Sequence, residues 1–222
     1  MSYPGGKGGA GVYQTIINQQ PPHDVYIEPF LGGGSVMKLK RPASTNIGID
    51  VDRSVIEGFG EARGIELMCL DGISYLQMER EDVAPNTLIY CDPPYLLSTR
   101  RGGEIYRHEM TDAQHGTFLD RVNLLPCMIQ ISGYWSKMYA DALHNWRMIR
   151  YMAPTRRGYV EECLWMNYPA PTILHDYSYL GEDYRQRERI KRKAARWVQR
   201  VASLPELERK AILSAALQHR WI

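Results

Sequence analysis

Short apolar, β-branched runs alternate along the first three quarters of the chain with stretches whose apolar residues recur at helical spacing. Continuous apolar runs read as strands buried on both faces, and their alternation with helices reads as a mostly parallel, helix-covered sheet. The runs predict strands over residues 25–28, 46–50, 65–69, 87–91, 127–131, 146–152 and 160–168. Helices are predicted over 10–19, 35–40, 54–62, 72–78, 111–123 and 135–144. Only residues 153–159 separate the last two strands, too few for a crossover helix, so these strands should form an antiparallel hairpin at the end of the sheet.

Beyond this α/β body (1–168), residues 169–182 carry prolines and tyrosines and read as a linker. Residues 183–222 then read as a helical extension. Ile190, Ala194, Trp197, Val198 and Val201 recur at helical spacing, with Arg185, Arg189, Arg192, Lys193, Arg196 and Arg200 mostly on the other faces. A second helix over 206–217 follows Ser203-Leu204-Pro205, and the two are expected to pair as a helical hairpin.

At 222 residues and 44% hydrophobic content the chain can bury a sizeable core, which argues against intrinsic disorder. No apolar run approaches the roughly 18 residues of a membrane span, and the N-terminus lacks the apolar segment of a signal peptide. The expectation is a soluble, cytoplasmic protein of a bacterium or a phage-infected host, with no membrane partner. Cys69, Cys91, Cys127 and Cys163 are far apart, which suggests reduced thiols in or near the core rather than a zinc cage or a disulfide framework. The six histidines show no close ligand spacing either, so no metal is expected. The net charge of +2 hides an asymmetry: residues 183–222 hold eleven Lys/Arg against four Asp/Glu, a net +7, and the rest of the chain is −5. A basic tail on a mildly acidic body suits a polyanionic partner, although a solvated helix surface would look the same.

Three motifs carry chemistry. Glu28-Pro29-Phe30-Leu31-Gly32-Gly33-Gly34-Ser35 lies between the first strand and a helix, where glycines let the backbone approach a ligand and take positive φ. It lacks the P-loop lysine pattern, which disfavours a nucleoside triphosphate. Asp50 ends the second strand about where a carboxylate accepts hydrogen bonds from ribose hydroxyls in nucleoside-binding folds. Asp52 reads as a helix N-cap, and Asp71 as either a contact to an adenine amine or another cap. At the tip of the fourth strand, Asp92-Pro93-Pro94-Tyr95 offers the Asp92 carboxylate and the Pro93 carbonyl as acceptors beside an aromatic ring. Such a turn can be mere structure. It also fits an amino group on a flat ring: two acceptors take its N–H bonds, Tyr95 stacks on the ring, and the nitrogen lone pair points at an electrophile. Pro126-Cys127 invites comparison with the thiolate nucleophile of cytosine C5-methyltransferases, but it begins the fifth strand, and Cys127 is expected in the core.

With Tyr3-Pro4-Gly5-Gly6-Lys7, Tyr106-Arg107-His108-Glu109-Met110-Thr111, Ile131-Ser132-Gly133-Tyr134 and Glu162-Cys163-Leu164-Trp165-Met166-Asn167-Tyr168, these ordered motifs resemble the Dam-like DNA adenine N6-methyltransferases, particularly the small phage and prophage members. The resemblance spans about Tyr3 to Tyr168. It implies a Rossmann-like methyltransferase fold with strand order 3-2-1-4-5-7-6, S-adenosyl-L-methionine as methyl donor, and adenine in double-stranded DNA as acceptor. It also implies cofactor contacts at Tyr3, Lys7, Asp50 and Asp92, with Phe30, Leu31, Gly32, Gly33 and Gly34 beside the methionine moiety. Lys7 is also a candidate to reach the target base. Asp92, Pro93, Pro94 and Tyr95 are the implied catalytic turn.

Larger members carry a target-recognition insertion before that turn, where this chain has only residues 72–91. DNA contacts must then come from elsewhere, and the candidates are Arg100, Arg101, Arg107, His108, Arg156 and Arg157 in the body and Arg189, Arg192, Lys193 and Arg196 in the tail. The apolar face of the tail could instead pack on the body or on a second subunit, as in a homodimer. Alternatives to adenine in DNA are cytosine N4 in DNA, adenine in RNA, and a DNA-binding protein with a degenerate cofactor site.

Overall fold

The computed structural model describes residues 6–9, 11–60, 64–78, 84–100, 103, 106–155 and 158–218. Among them, seven strands pair into one sheet: β1 (Val25–Glu28), β2 (Thr45–Asp50), β3 (Glu66–Cys69), β4 (Thr87–Cys91), β5 (Met128–Gly133), β6 (Arg147–Thr155) and β7 (Gly158–Met166). Their order is β3-β2-β1-β4-β5-β7-β6, as the resemblance implied. The first five strands are mutually parallel, whereas β7 runs antiparallel to both β5 and β6. The connecting helices are α1 (Val12–Ile17), α2 (Ser35–Leu39), α3 (Arg53–Gly58), α4 (Gly72–Met78), α5 (Asp112–Val122) and α6 (Lys137–Ala142).

The central strands β1, β4 and β5 are buried on both faces, which is why they read as unbroken apolar runs. Side chains alternate between faces, and Ile27, Ile49, Ile89, Cys91, Ile129, Ile131 and Trp165 join Ile73, Leu76, Phe118 and Leu119 of α4 and α5 in one cluster. Their neighbours Tyr26, Leu88, Tyr90 and Leu164 are buried as well. On that second side Gln130, fully buried, accepts from Gln20 Nε2 (3.1 Å) and donates to the Ile16 carbonyl (3.3 Å), so its amide is paired.

Several element ends differ from expectation for local reasons. The hairpin is longer, because Thr155 already pairs with Gly158, whose φ of +114° favours glycine. Helix α6 starts at Lys137 rather than residue 135 because the Ser136 hydroxyl accepts from the Tyr139 N–H and caps it. Helix α1 starts after Gly11, which is left-handed at φ 94° and donates its N–H to Gln14 Oε1. Cys91, Cys127 and Cys163 are buried free thiols as expected, but Cys69 is exposed, because β3 is an edge strand with little cover. Burial pushes the Cys127 thiol up to about 12, which leaves it no thiolate for nucleophilic attack.

The first compact unit runs to Tyr177 and the second begins at Ser178. The earlier part of the expected linker is therefore docked: the His175 N–H donates to the Gln20 carbonyl (2.9 Å), Asp176 accepts from the Arg41 N–H (2.9 Å), and His175 stacks on His23 at 3.8 Å. The second unit holds α7 (Tyr184–Ala202), capped by Asp183, and α8 (Glu206–Gln218). The expected helical hairpin does not form a packed seam, for Trp197, Val198, Leu207, Ile212, Leu213 and Leu217 are all exposed. At 100° per residue the apolar side chains of α8 scatter around its circumference and present no single face to α7. Among the described residues, no helix is long and apolar enough to cross a membrane.

A Cβ at Gly72, the first residue of α4, would lie 2.2 Å from the Pro29 carbonyl oxygen, a backbone atom that cannot swing aside. Gly72→Ala should cost about 1–3 kcal/mol, the range for overpacking. Gly116→Ala, in the middle of α5 with open space around it, should instead gain about 0.5–1 kcal/mol from helix propensity. Denaturant melts of the two variants should move in opposite directions; parallel shifts would contradict the assigned packing.

Candidate active site

Crossovers from β1 lead outward through β2 to β3, whereas β4 lies on the opposite side of β1. Chain connections therefore diverge between β1 and β4, and a crevice opens at their carboxyl ends. A cleft of about 230 Å³ lies there, lined by Lys7, Glu28, the Phe30–Gly34 loop, Asp50, Asp71, Asp92, Pro94 and the Tyr106–Met110 segment. Most of the expected cofactor residues thus share one cavity. Tyr3, Arg101, Arg156 and Arg157 lie outside the described residues.

The glycine loop is built for close approach. Gly32 and Gly34 have φ values of 48° and 58°, and a Cβ at Gly34 would strike the Phe59 ring at 2.2 Å. Leu31 donates its N–H to the Ile49 carbonyl (2.8 Å), and Gly32 donates to Asp50 Oδ2 (2.8 Å), which ties the loop to the tip of β2. Asp50 Oδ1 accepts from the Asp52 N–H (2.9 Å). Burial raises the Asp50 carboxyl above its usual range while these two N–H groups oppose the shift. A carboxylate has about four lone-pair sites, so two backbone bonds leave capacity for a diol. Asp52 caps α3 through the Ser54 N–H, as expected. Asp71 accepts from both the N–H and the hydroxyl of Ser74 (2.8 Å each), which makes it a helix cap as well as a cleft residue.

At the tip of β4, Asp92 and Pro94 line the cleft while Pro93 and Tyr95 are buried. Tyr95 is more enclosed than a ring waiting to stack: it meets Tyr134 edge-on at 4.7 Å and donates its hydroxyl to Glu162 Oε2 (2.9 Å). Lys7 Nζ donates to the same Tyr95 hydroxyl (2.6 Å), and lies 3.0 Å from Asp92 Oδ1 and 3.4 Å from Glu162 Oε2. Burial alone would lower the affinity of Lys7 for its proton, but the two carboxylates outweigh it and hold the group charged well above the ordinary lysine range. Asp92 is pushed up to about 6 by burial, with Lys7 pulling down and the like charge of Glu162 pushing further up.

Glu28 is the most buried acid of the cleft. Its Oε1 accepts from the Tyr26 hydroxyl (2.9 Å), yet burial raises the carboxyl to about 8, and the neighbouring charge of Asp92 adds to the rise.

The residues expected to meet DNA in the body differ in how they are placed. Arg100 faces inward, forms a two-pronged ion pair with Glu109 (2.8 and 2.7 Å) and donates to the Tyr95 carbonyl. A side chain this buried braces the Asp92–Tyr95 turn and is not presented to solvent. Arg107 and His108 line the cleft itself, and Arg107 pairs with Asp52 (3.1 Å) at its rim. Arg189, Arg192, Lys193 and Arg196 are exposed on α7. Glu162 and Tyr151 lie across from each other on β7 and β6; Glu162 opens one of the motifs that carry the resemblance but has no expected role there, and Tyr151 lies in none of them. The signal available was a pair of adjacent acids, Glu161-Glu162, in an apolar strand, and only the register tells which one faces inward.

The strand order and the antiparallel β7 define the Rossmann-like methyltransferase fold. No family model and no curated protein matches the chain. Among solved structures it is similar to the precorrin-8W decarboxylase of Methanobacterium thermoautotrophicum at 14% identity and a TM-score of 0.48, covering 76% of this chain and 94% of that one. It is also similar to an S-adenosylmethionine-dependent methyltransferase from Agrobacterium tumefaciens (14% identity, TM-score 0.45, 69% and 58% covered). A third is the magnesium protoporphyrin IX methyltransferase of Synechocystis PCC 6803 with bound S-adenosylmethionine (12% identity, TM-score 0.45, 71% and 76% covered). Likeness at this level does not reach substrate, and the strand order carries the fold assignment by itself.

Because its carboxyl is raised to about 8, Glu28 is neutral in the folded protein at pH 6 and becomes a buried charge as pH rises through 8, where the unfolded chain has been ionised since about pH 4.5. Folding stability therefore falls over that interval. Relative to wild type, Glu28→Gln should gain stability steadily between about pH 5 and pH 8 and hold a constant advantage above pH 8; a gap independent of pH over that window would contradict the assignment.

Proposed function

We propose that this protein transfers a methyl group from S-adenosylmethionine to the N6 amine of adenine in DNA. The observation that carries the reading is the placement of the glycine loop, Asp50 and Asp92 around one cleft at the β1/β4 divergence. The residues fit such a cofactor: Asp50 suits a ribose diol, the loop allows close backbone approach, and a cleft rich in carboxylates suits a ligand bearing positive charge. Bound there, the cofactor supplies an electrophilic methyl group on a sulfonium.

The chain's own part is to hold the acceptor. Asp92 and the Pro93 carbonyl take the two N–H bonds of the amine, which directs its lone pair away from them, and Pro94 limits the turn to one shape. Lys7 keeps Asp92 in its carboxylate form despite burial. Since adenine N6 is paired inside a duplex, the base has to leave the stack to enter the cleft, and the acceleration then comes largely from fixed proximity. Phosphate contacts fall to α7, where Arg185, Arg189, Arg192 and Arg196 recur at four- and three-residue steps along one face, about 4.5–6 Å apart along the helix axis.

The deciding experiment is transfer of labelled methyl groups to duplex DNA followed by nucleoside analysis, with N6-methyladenine as the expected product. Label in N4-methylcytosine, or in RNA alone, would replace the acceptor. Asp92→Ala should lower turnover at least ~100-fold, the lower end for a positioned catalytic group. Because the ionised carboxylate is the acceptor, kcat/KM of the wild type should fall on the acid side with an apparent pKa near 6, and Asp92→Asn should lack that limb. A folded Asp92→Ala protein with near-normal turnover would sink the role.

Deleting the residues after Glu182 should weaken DNA affinity across sequences and flatten its salt dependence, with cofactor affinity retained. An unchanged salt slope together with a lower melting temperature would make the tail a structural element.

A further inference from the structure

We propose that Glu162 is a positioning residue for the amine site: through one carboxylate oxygen it fixes the Tyr95 ring and supplies Lys7 with the counter-charge that Asp92 must share with an incoming amine. The inference rests on the methyl-transfer reading and adds a residue to it. Glu162 sits in β7 directly opposite Tyr151 of β6, well inside the hairpin that closes the sheet. Its Oε2 accepts from the Tyr95 hydroxyl at 2.9 Å and from the Tyr151 hydroxyl at 2.7 Å, with Lys7 Nζ at 3.4 Å. Tyr151 continues the chain of contacts to Ser132 (3.5 Å), whose hydroxyl lies 2.8 Å from that of Tyr90 on β4. The network thus reaches from the hairpin back to the strand that carries Asp92.

The charge count gives the network its purpose. Lys7 brings one ammonium to the half-buried Asp92 at 3.0 Å and the buried Glu162 at 3.4 Å. When an amine donates to Asp92, Lys7 loses part of its nearer partner, and an ammonium left underpaired in the interior is costly. Glu162 is already within ion-pair reach, so the charge stays compensated without displacement of the Tyr95 ring. Glu162 is not among the residues that line the cleft, which separates this role from cofactor binding. Among the described residues, Lys7, Glu162 and Glu28 act on Asp92 as charges, whereas Tyr90, Tyr95, Tyr106, Tyr139, Tyr151 and the Cys91 thiol, all pushed up by burial, remain neutral.

Glu162→Gln keeps the shape and removes the charge. In the full-length protein without substrate, acetylation of Lys7 by acetic anhydride, read by mass spectrometry, should accelerate at least about tenfold, because losing one of two carboxylates releases the amine by about one pKa unit or more. In turnover, kcat should drop at least about tenfold while the affinity for S-adenosylmethionine stays within about threefold. The acid limb of kcat/KM should move to lower pH, since a like charge beside Asp92 is gone. Tyr151→Phe, which keeps the charge, should lower kcat less and leave the limb in place, and it serves if Glu162→Gln does not fold. Unchanged Lys7 labelling in a folded Glu162→Gln protein overturns the assignment whatever the wild type does on DNA. So does a limb that moves equally in Tyr151→Phe. Absence of methyl transfer by the wild type overturns the underlying reading instead, and the labelling experiment still decides where Lys7 is held.

Discussion

Val25, Tyr26 and Ile27 pair in parallel with Thr87, Leu88 and Ile89, and this register governs everything downstream of it. It places the ends of β1 and β4 side by side, so Glu28 and Asp92 emerge as neighbours at the point where the crossovers diverge. On the other side of β1, the pairing of Glu28 with Gly48 sets Asp50 within reach of the loop that follows β1. The bond from Gly32 to Asp50 then fixes the loop over the crevice. No long-range loop rearrangement is needed to assemble the cleft, because three neighbouring strand ends deliver its polar groups.

Gathering acids at adjacent strand ends has an electrostatic cost that the fold meets from outside the parallel sheet. Lys7 comes from the segment before α1, and Glu162 and Tyr151 come from the antiparallel hairpin at the far edge. The hairpin therefore does more than close the sheet: its register turns one acid and one phenol inward toward the Asp92 turn. Arg100 acts on the turn from the opposite direction, holding the Tyr95 carbonyl and being itself held by Glu109. Backbone and side chain of Tyr95 are thus gripped separately.

The strands and the motif positions were legible in the sequence because they depend on local signals: apolar runs with the right length, glycines after a strand, and a rigid double proline. What escaped was pairing information. Arg100 and Arg107 look alike as surface cations beside a glycine-rich segment, but one is buried on Glu109 and the other spans the cleft rim to Asp52. Glu161 and Glu162 are adjacent acids with opposite fates, since Glu161 meets Arg150 in the exposed part of the hairpin while Glu162 is enclosed. A one-residue change of register would exchange them. The helical hairpin expected for the tail failed for a related reason: apolar residues at helical spacing in α7 promise a buried face only when a partner offers a matching stripe, and α8 has none.

Glu28 and Asp92 also show how the cleft is tuned toward its ligand. Both are carboxyls raised by burial, to about 8 and about 6, and each ionised form makes the other harder to ionise. Lys7 is bound between Asp92 and Glu162, and the cation acting on Glu28, Lys40, opposes its shift only in part. Near neutral pH Glu28 therefore keeps its proton, and the cleft retains an unused capacity for positive charge. A cationic ligand entering there would favour the ionised form of Glu28 and be favoured by it in turn, whereas a neutral product would lose that term. A site of this electrostatic design binds a cationic ligand more tightly than a neutral one of the same shape, because only the cation recovers the attraction of an ionised Glu28.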